Sequence, residues 1–341
     1  MNTISKKKPY YKVGDKLFQY LRKFRRTVDL PVRYEDLLQY KQSFPLIDKK
    51  GKDTLWESIF YDQFQNEELG KGLTMIYSLL KTDGEISVME HLYLDRIDYC
   101  TFGNSKPFRI RIVNQLNDNY DYFYIKRADA SRIYGLELEH ILSPNLINYL
   151  IDGETLIEEH IAGIPGDSFI TDYLSNEMVN KVRVAKEFVK FNERCFVRLL
   201  GDMRSYNYVV DITPDFEDEQ YRIRAIDFDQ QSYEGRKSLY LPQFYKENFQ
   251  MVKLCSEFLN PQAIKQYQYE ERTLIGKRLY SSRLRMKDLM DSLKTDEIST
   301  KEKILQLRED LANQHGSKGF IKCETMAEIL KLNLKVVLTK P

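Results

Sequence analysis

Leu200-Gly201-Asp202-Met203-Arg204-Ser205-Tyr206-Asn207, followed by apolar Val209-Val210 and, after a polar interruption, Tyr221-Arg222-Ile223-Arg224-Ala225-Ile226-Asp227-Phe228-Asp229, is the stretch around which the chain is organised. It reads as acid, four residues, amide, short strand, turn, second strand, acid. Phosphoryl transfer needs these residue types in this arrangement. One carboxylate orients or deprotonates the acceptor hydroxyl, while the amide and the second carboxylate hold magnesium on the nucleotide phosphates. Asp202, Asn207 and Asp227 are the residues that fit those parts. The competing reading is a turn-forming Asp beside a turn Asn.

The arrangement resembles the catalytic core of the protein-kinase-like superfamily, closest to its aminoglycoside phosphotransferase and choline-kinase-like branch. Gly201 before Asp202 matches the His-Gly-Asp form of that branch, with Leu200 standing where the family has histidine. Phe228-Asp229-Gln230-Gln231 replaces the Phe-Gly of protein kinases, and no Ala-Pro-Glu element follows. Both departures argue for an acceptor smaller than a protein.

Composition sets the frame. A chain of 341 residues holds two or three folding units, and 42% apolar residues supply a core. The formal net charge of +1 argues against a dedicated nucleic-acid binder. No stretch is long and apolar enough to span a bilayer, and basic Lys6-Lys7-Lys8 is followed by no apolar core, so neither a transmembrane segment nor a secretory signal is expected. Cys100, Cys195, Cys255 and Cys323 are scattered without Cys-x-x-Cys spacing, as are the histidines, which argues against structural zinc and fits reduced thiols in a cytoplasm.

Residues 1–88 read as a helical N-terminal extension. Asp15 to Arg26 sets Leu17, Phe18, Leu21 and Phe24 on one face and basic residues elsewhere, as in a surface helix or one touching an anionic membrane. Further helices are expected at 34–40, 55–64 and 69–80, with Trp56 as a core anchor, and these helices could dock a protein partner. At Asp83-Gly84 the pattern changes to strands, over His91–Cys100, Phe108–Val113 and Asp121–Arg127. A helix over Ala130–Leu142 carries Glu137 and Glu139, and a hairpin turns at Asp152-Gly153. Beyond a long helix over Met178–Phe191 lie the quoted stretch and helices near 244–258, 263–274, 284–293 and 325–332. Ser299-x-x-Glu302 opens another helix as a capping box, and Val336-Val337-Leu338 reads as a short strand.

The resemblance implies an α+β, bilobal protein-kinase-like fold: an antiparallel N-lobe sheet plus one helix over 89–161, and a mostly helical C-lobe over 162–341. It implies ATP and Mg2+. Gly103 and Ser105 would cover the phosphates, Lys126 would hold the α- and β-phosphates, and Glu137, with Glu139 as the alternative, would position Lys126. Backbone groups of Glu159 to Ile161 would meet adenine, Asp202 would be the base, and Asn207 with Asp227 would hold the metal. Asp229 would be a second ligand or an acid that orders the loop. These groups are expected to converge on one cleft, with a small-molecule, possibly sugar-like, acceptor. Protein kinase or nucleotidyltransferase chemistry on the same scaffold, or a nucleotide-binding pseudokinase acting as an interaction module, are the alternatives.

Overall fold

The computed structural model describes residues 8–48, 51–82, 91–102, 105–216 and 218–339. The expected break at Asp83-Gly84, the loop residues Gly103 and Asn104, and the turn acid Glu217 lie outside the described residues, as do residues 1–7. The fold is α+β, with an antiparallel sheet in the N-terminal part and helices dominating the C-terminal part. It forms two compact units, Met1–Asp129 with Ile147–His160, and Ala130–Leu146 with Ile161–Pro341.

The first unit contains helices α1 (Asp15–Lys23), α2 (Tyr34–Leu37) and α3 (Gln63–Thr82). Its strands are β1 (Gln42–Ile47), β2 (Asp53–Phe60), β3 (Leu92–Cys100), β4 (Phe108–Asn114), β5 (Tyr120–Arg127), β6 (Tyr149–Asp152) and β7 (Thr155–Glu159). They form one seven-stranded sheet in the order β1-β2-β3-β4-β5-β7-β6. Strict alternation gives this sheet two unlike faces. Phe108, Ile110 and Ile112 of β4 and Phe123 and Ile125 of β5 face a core shared with Leu69, Leu73, Ile76 and Leu80, the apolar stripe of α3. The opposite face is polar. Fully buried Asp98 there accepts from Ser58 Oγ at 2.8 Å and Arg109 Nη2 at 2.8 Å, and pairs with Arg96 Nε at 2.8 Å.

The N-terminal region departs from the helical expectation. Residues 53–60 form a strand because β3 supplies the pairing, Trp56 opposite Cys100 and Ser58 opposite Asp98. A short apolar run does not by its own spacing separate strand from helix. Pro45 sits in β1, at the sheet edge, where a missing N–H is tolerated. Trp56 is not a core anchor. It is half-buried with the Arg109 guanidinium 4.4 Å above its ring, capping the ion ladder of the polar face. The N-terminal segment is woven into the unit: Val28 N–H donates to Ile151 O and Ile151 N–H to Arg26 O, while Lys8 Nζ lies 2.7 Å from Asp129. Helix α1 buries Leu17, Tyr20 and Leu21 in packing, while Phe18 of the expected stripe is exposed. Among the described residues, no helix is long and apolar enough to cross a membrane.

The second unit begins with α4 (Ala130–Leu142), the helix expected in the sheet-bearing lobe. Then come β8 (Ile164–Pro165), α5 (Lys181–Arg198), β9 (Tyr208–Pro214) and β10 (Glu219–Ala225), the strands ordered β10-β9-β8. Gly163 takes φ 149° where β8 meets β9, and a Cβ there would stand 2.9 Å from Val209. Helices α6 (Phe249–Phe258), α7 (Pro261–Ser281), α8 (Arg283–Leu293), α9 (Lys301–His315) and α10 (Met326–Thr339) complete the unit. Two local expectations are corrected. Thr300, not Ser299, caps α9 by accepting from Lys303 N–H, while Ser299 Oγ donates to Tyr233 O. Residues 336–338 continue α10 because Val337 and Leu334 fall on its buried side. Asn333 of α10 donates to the carbonyls of Phe196 and Val197, satisfying the C-terminal end of α5.

Candidate active site

In the second unit, α5 ends at Leu199 with φ 57°, and Asp202 and Ser232 also adopt left-handed φ, 57° and 50°. Such strain in non-glycine residues is held only where neighbours over-determine it, and it concentrates at functional loops. The neighbours here are visible. Gly201 N–H donates to Gln230 O, Ser232 N–H to Leu199 O, and buried Gln231 Nε2 to Arg198 O at 2.6 Å. The loop carrying Asp202 and the segment carrying Asp227 and Asp229 are thus stitched together by backbone.

Asn207 completes the link. Its Nδ2 donates to Asp202 O at 2.7 Å and reaches Asp202 Oδ2 at 3.5 Å, while its own carbonyl accepts from Ile226 N–H at 3.0 Å. The amide group therefore directs its Oδ1 away from Asp202. Asp227 Oδ1 accepts from Asp229 N–H at 3.0 Å. The structure thereby brings Asp202, Asn207, Asp227 and Asp229 into one bonded assembly.

Three residues that sequence reasoning did not single out complete it. Arg132, in the first turn of α4, donates from Nη1 to Asp227 Oδ1 at 2.8 Å and to Asp229 Oδ1 at 2.9 Å. Its neighbour Ser131 donates to the carbonyls of Asp229 and Gln231. Arg204, two residues past Asp202, donates from Nε to Asp202 Oδ1 at 2.8 Å and from Nη1 to Glu247 at 2.8 Å. Burial raises the Asp202 carboxyl above its ordinary value, and the Arg204 bond pulls it partly back. Arg204 was legible within the quoted stretch. Arg132 lies outside that stretch, 95 positions before Asp227, and its pairing is set only by the fold.

Those glutamates are engaged inside the second unit. Glu137, fully buried, takes a bidentate bond from Arg285, with Nη2 2.7 Å from Oε2. Glu139 pairs with Arg198. In the first unit, Lys126 lies opposite Leu156 across the β5–β7 ladder, on the polar face, and its Nζ donates to Glu158 Oε2 at 2.8 Å. The Glu159 N–H is bonded to Asn148 O. Ser105 is half-buried, Ile161 is buried in the second unit, and Gly103 falls outside the described residues.

The donor set suits a hard cation. Asp227 and Asn207 offer carboxylate and amide oxygens, the kind magnesium takes alongside water and phosphate oxygens. Among the described residues no group of three or more His, Cys, Asp or Glu is placed to hold a metal on protein ligands alone. Asp229 is paired with Arg132 and only 7% exposed.

No family model matches the chain, and no curated protein matches it. Two solved structures illustrate its structural similarities. One, described as titin kinase and its flanking domains, shares 13% identity, covers 76% of this chain and 59% of that one, at TM-score 0.28. The chain thus spans less than two thirds of that structure. The other, described as the autoinhibited serine kinase domain of the giant muscle protein titin, shares 12% identity, covering 72% and 92% at TM-score 0.28. Likeness at that score carries no weight here, and the functional reading rests on the chain's own residues.

Proposed function

We propose that the chain is a kinase-like phosphotransferase that uses ATP and Mg2+ to move the γ-phosphoryl group to a hydroxyl of a small-molecule acceptor. The observation that carries this reading is the double engagement of Asn207, whose side chain bonds Asp202 and whose carbonyl bonds Ile226, one residue before Asp227. This coupling fixes a proton acceptor relative to an oxygen pair suited to a cation, the relation that phosphoryl transfer requires.

In this reading Asp202 accepts the acceptor's hydroxyl proton, and its raised affinity for protons suits a base. Asn207 and Asp227 hold magnesium, which neutralises charge on the phosphates. Lys126 binds the α- and β-phosphates. Arg204 holds the Asp202 carboxylate in one orientation, and Arg132 with Ser131 holds the Asp227–Asp229 segment. The firm anchoring of Phe228-Asp229-Gln230-Gln231 supports an acceptor other than a protein docked on a mobile segment.

Asp202→Asn tests the assignment. Turnover should fall by about 10²–10⁴-fold with magnesium–ATP affinity within twofold of wild type. Unchanged turnover would remove Asp202 as the base. A second reading, nucleotide binding without transfer, is favoured by the Arg204 ion pair on the Asp202 carboxylate. It predicts magnesium-dependent ATP binding with no labelled product from a broad acceptor panel.

A further inference from the structure

We infer that Glu158, on the strand beside Lys126, is the residue that positions the phosphate-binding ammonium. This role rests on the phosphotransferase reading and assigns within it a partner for the lysine that no motif pointed to. The antiparallel register sets Tyr124 opposite Glu158 and Lys126 opposite Leu156, so Lys126 and Glu158 are diagonal neighbours on the polar face. Nζ and Oε2 stand 2.8 Å apart, and the side chains are 9% and 6% exposed. A charge-assisted bond in so dry a setting is short and directional. An ammonium buried there needs a carboxylate to remain charged. The Tyr124 ring, 5.3 Å from Nζ, borders the same position.

The two strands belong to one sheet, so the pair is fixed by backbone hydrogen bonds rather than by the docking of a separate helix. Glu137 and Glu139 meanwhile bond Arg285 and Arg198 in the second unit. Glu158 therefore acts through Lys126 as a positioning residue, built into the sheet that carries the lysine.

Calorimetric titration of the full chain with magnesium–ATP and with adenosine tests this. Lys126→Met should weaken ATP binding by about tenfold or more and leave adenosine binding unchanged. Glu158→Gln should do the same to ATP by about five- to tenfold, again sparing adenosine. The double variant should bind ATP no more weakly than Lys126→Met alone, because the effect of Glu158 on ATP passes through the lysine. If Glu158→Gln does not fold, Glu158→Asp should give a smaller ATP-selective loss. The proposal is overturned if the Glu158 variants bind ATP as wild type does, if they weaken ATP and adenosine equally, or if the double variant shows two independent losses. Normal ATP affinity in Lys126→Met would instead refute the lysine's phosphate role, and this inference with it. A wild-type chain that binds neither ligand removes the phosphotransferase reading itself.

Discussion

Arg132 Nη1 lies 2.8 Å from Asp227 Oδ1 and 2.9 Å from Asp229 Oδ1, so one guanidinium nitrogen bridges two carboxylates of the same segment. Arg132 is 1% exposed and Asp229 7%, and the bridge offsets the cost of burying these charges. Arg132→Ala should destabilise the fold by about 3–5 kcal/mol, read from urea unfolding. Arg132→Lys, a point charge without the planar fork, should recover only part of that. A loss below about 1 kcal/mol in the alanine variant would show that the bridge contributes little.

Arg285 and Glu137 tie α8 to α4 by a bidentate bond to a fully buried carboxylate. Arg285→Ala should therefore cost about 3 kcal/mol of stability. It should leave the ratio of ATP to adenosine affinity unaltered. A selective loss of ATP affinity in that variant would point to Glu137 as the residue that positions Lys126.

The pH profile of turnover should carry an acid limb set by Asp202. A base works only when deprotonated, so the rate falls as pH drops through its pKa, which burial holds above the ordinary aspartate value. The Arg204 bond lowers that pKa, so Arg204→Gln should move the limb to higher pH. A limb that stays put, or moves to lower pH, contradicts the coupling.

Trp56 is the single tryptophan of the chain and reports on the polar face of the sheet. Its ring lies 6.3 Å from Tyr124, which borders Lys126. Magnesium–ATP should change Trp56 emission with a saturable midpoint that Lys126→Met shifts to higher concentration. An emission change with the same midpoint in both proteins would place the nucleotide elsewhere.

Much of the fold was legible because its signals are local. Alternation in Phe108–Val113 gave β4, and the run Ala130–Leu142 gave α4 to the residue. Asp202, Asn207 and Asp227 were legible as a pattern because their hydrogen bonds join residues close along a loop and a hairpin. What was not legible depends on distant pairing. Strand β2 pairs with β1 across a local hairpin, but its other neighbour β3 lies 40 positions on, Ser58 opposite Asp98, outside any window around Leu55. Ion-pair partners were equally hidden: Glu137 is matched to Arg285, 148 positions away. Glu158 immediately precedes the Glu159–Ile161 run expected to meet adenine, and only the β5–β7 register places it beside Lys126.

Transfer of the terminal phosphoryl group at Asp202 is the step on which the proposed function stands. The most direct measurement follows parallel incubations of the chain with magnesium and ATP labelled at the γ- or the α-phosphate, across a panel of small hydroxyl-bearing acceptors. γ-Label should appear in an acceptor product, α-label should not, and that product should be lost in Asp202→Asn. Transfer of the α-label, or γ-labelled product undiminished in Asp202→Asn, would contradict it.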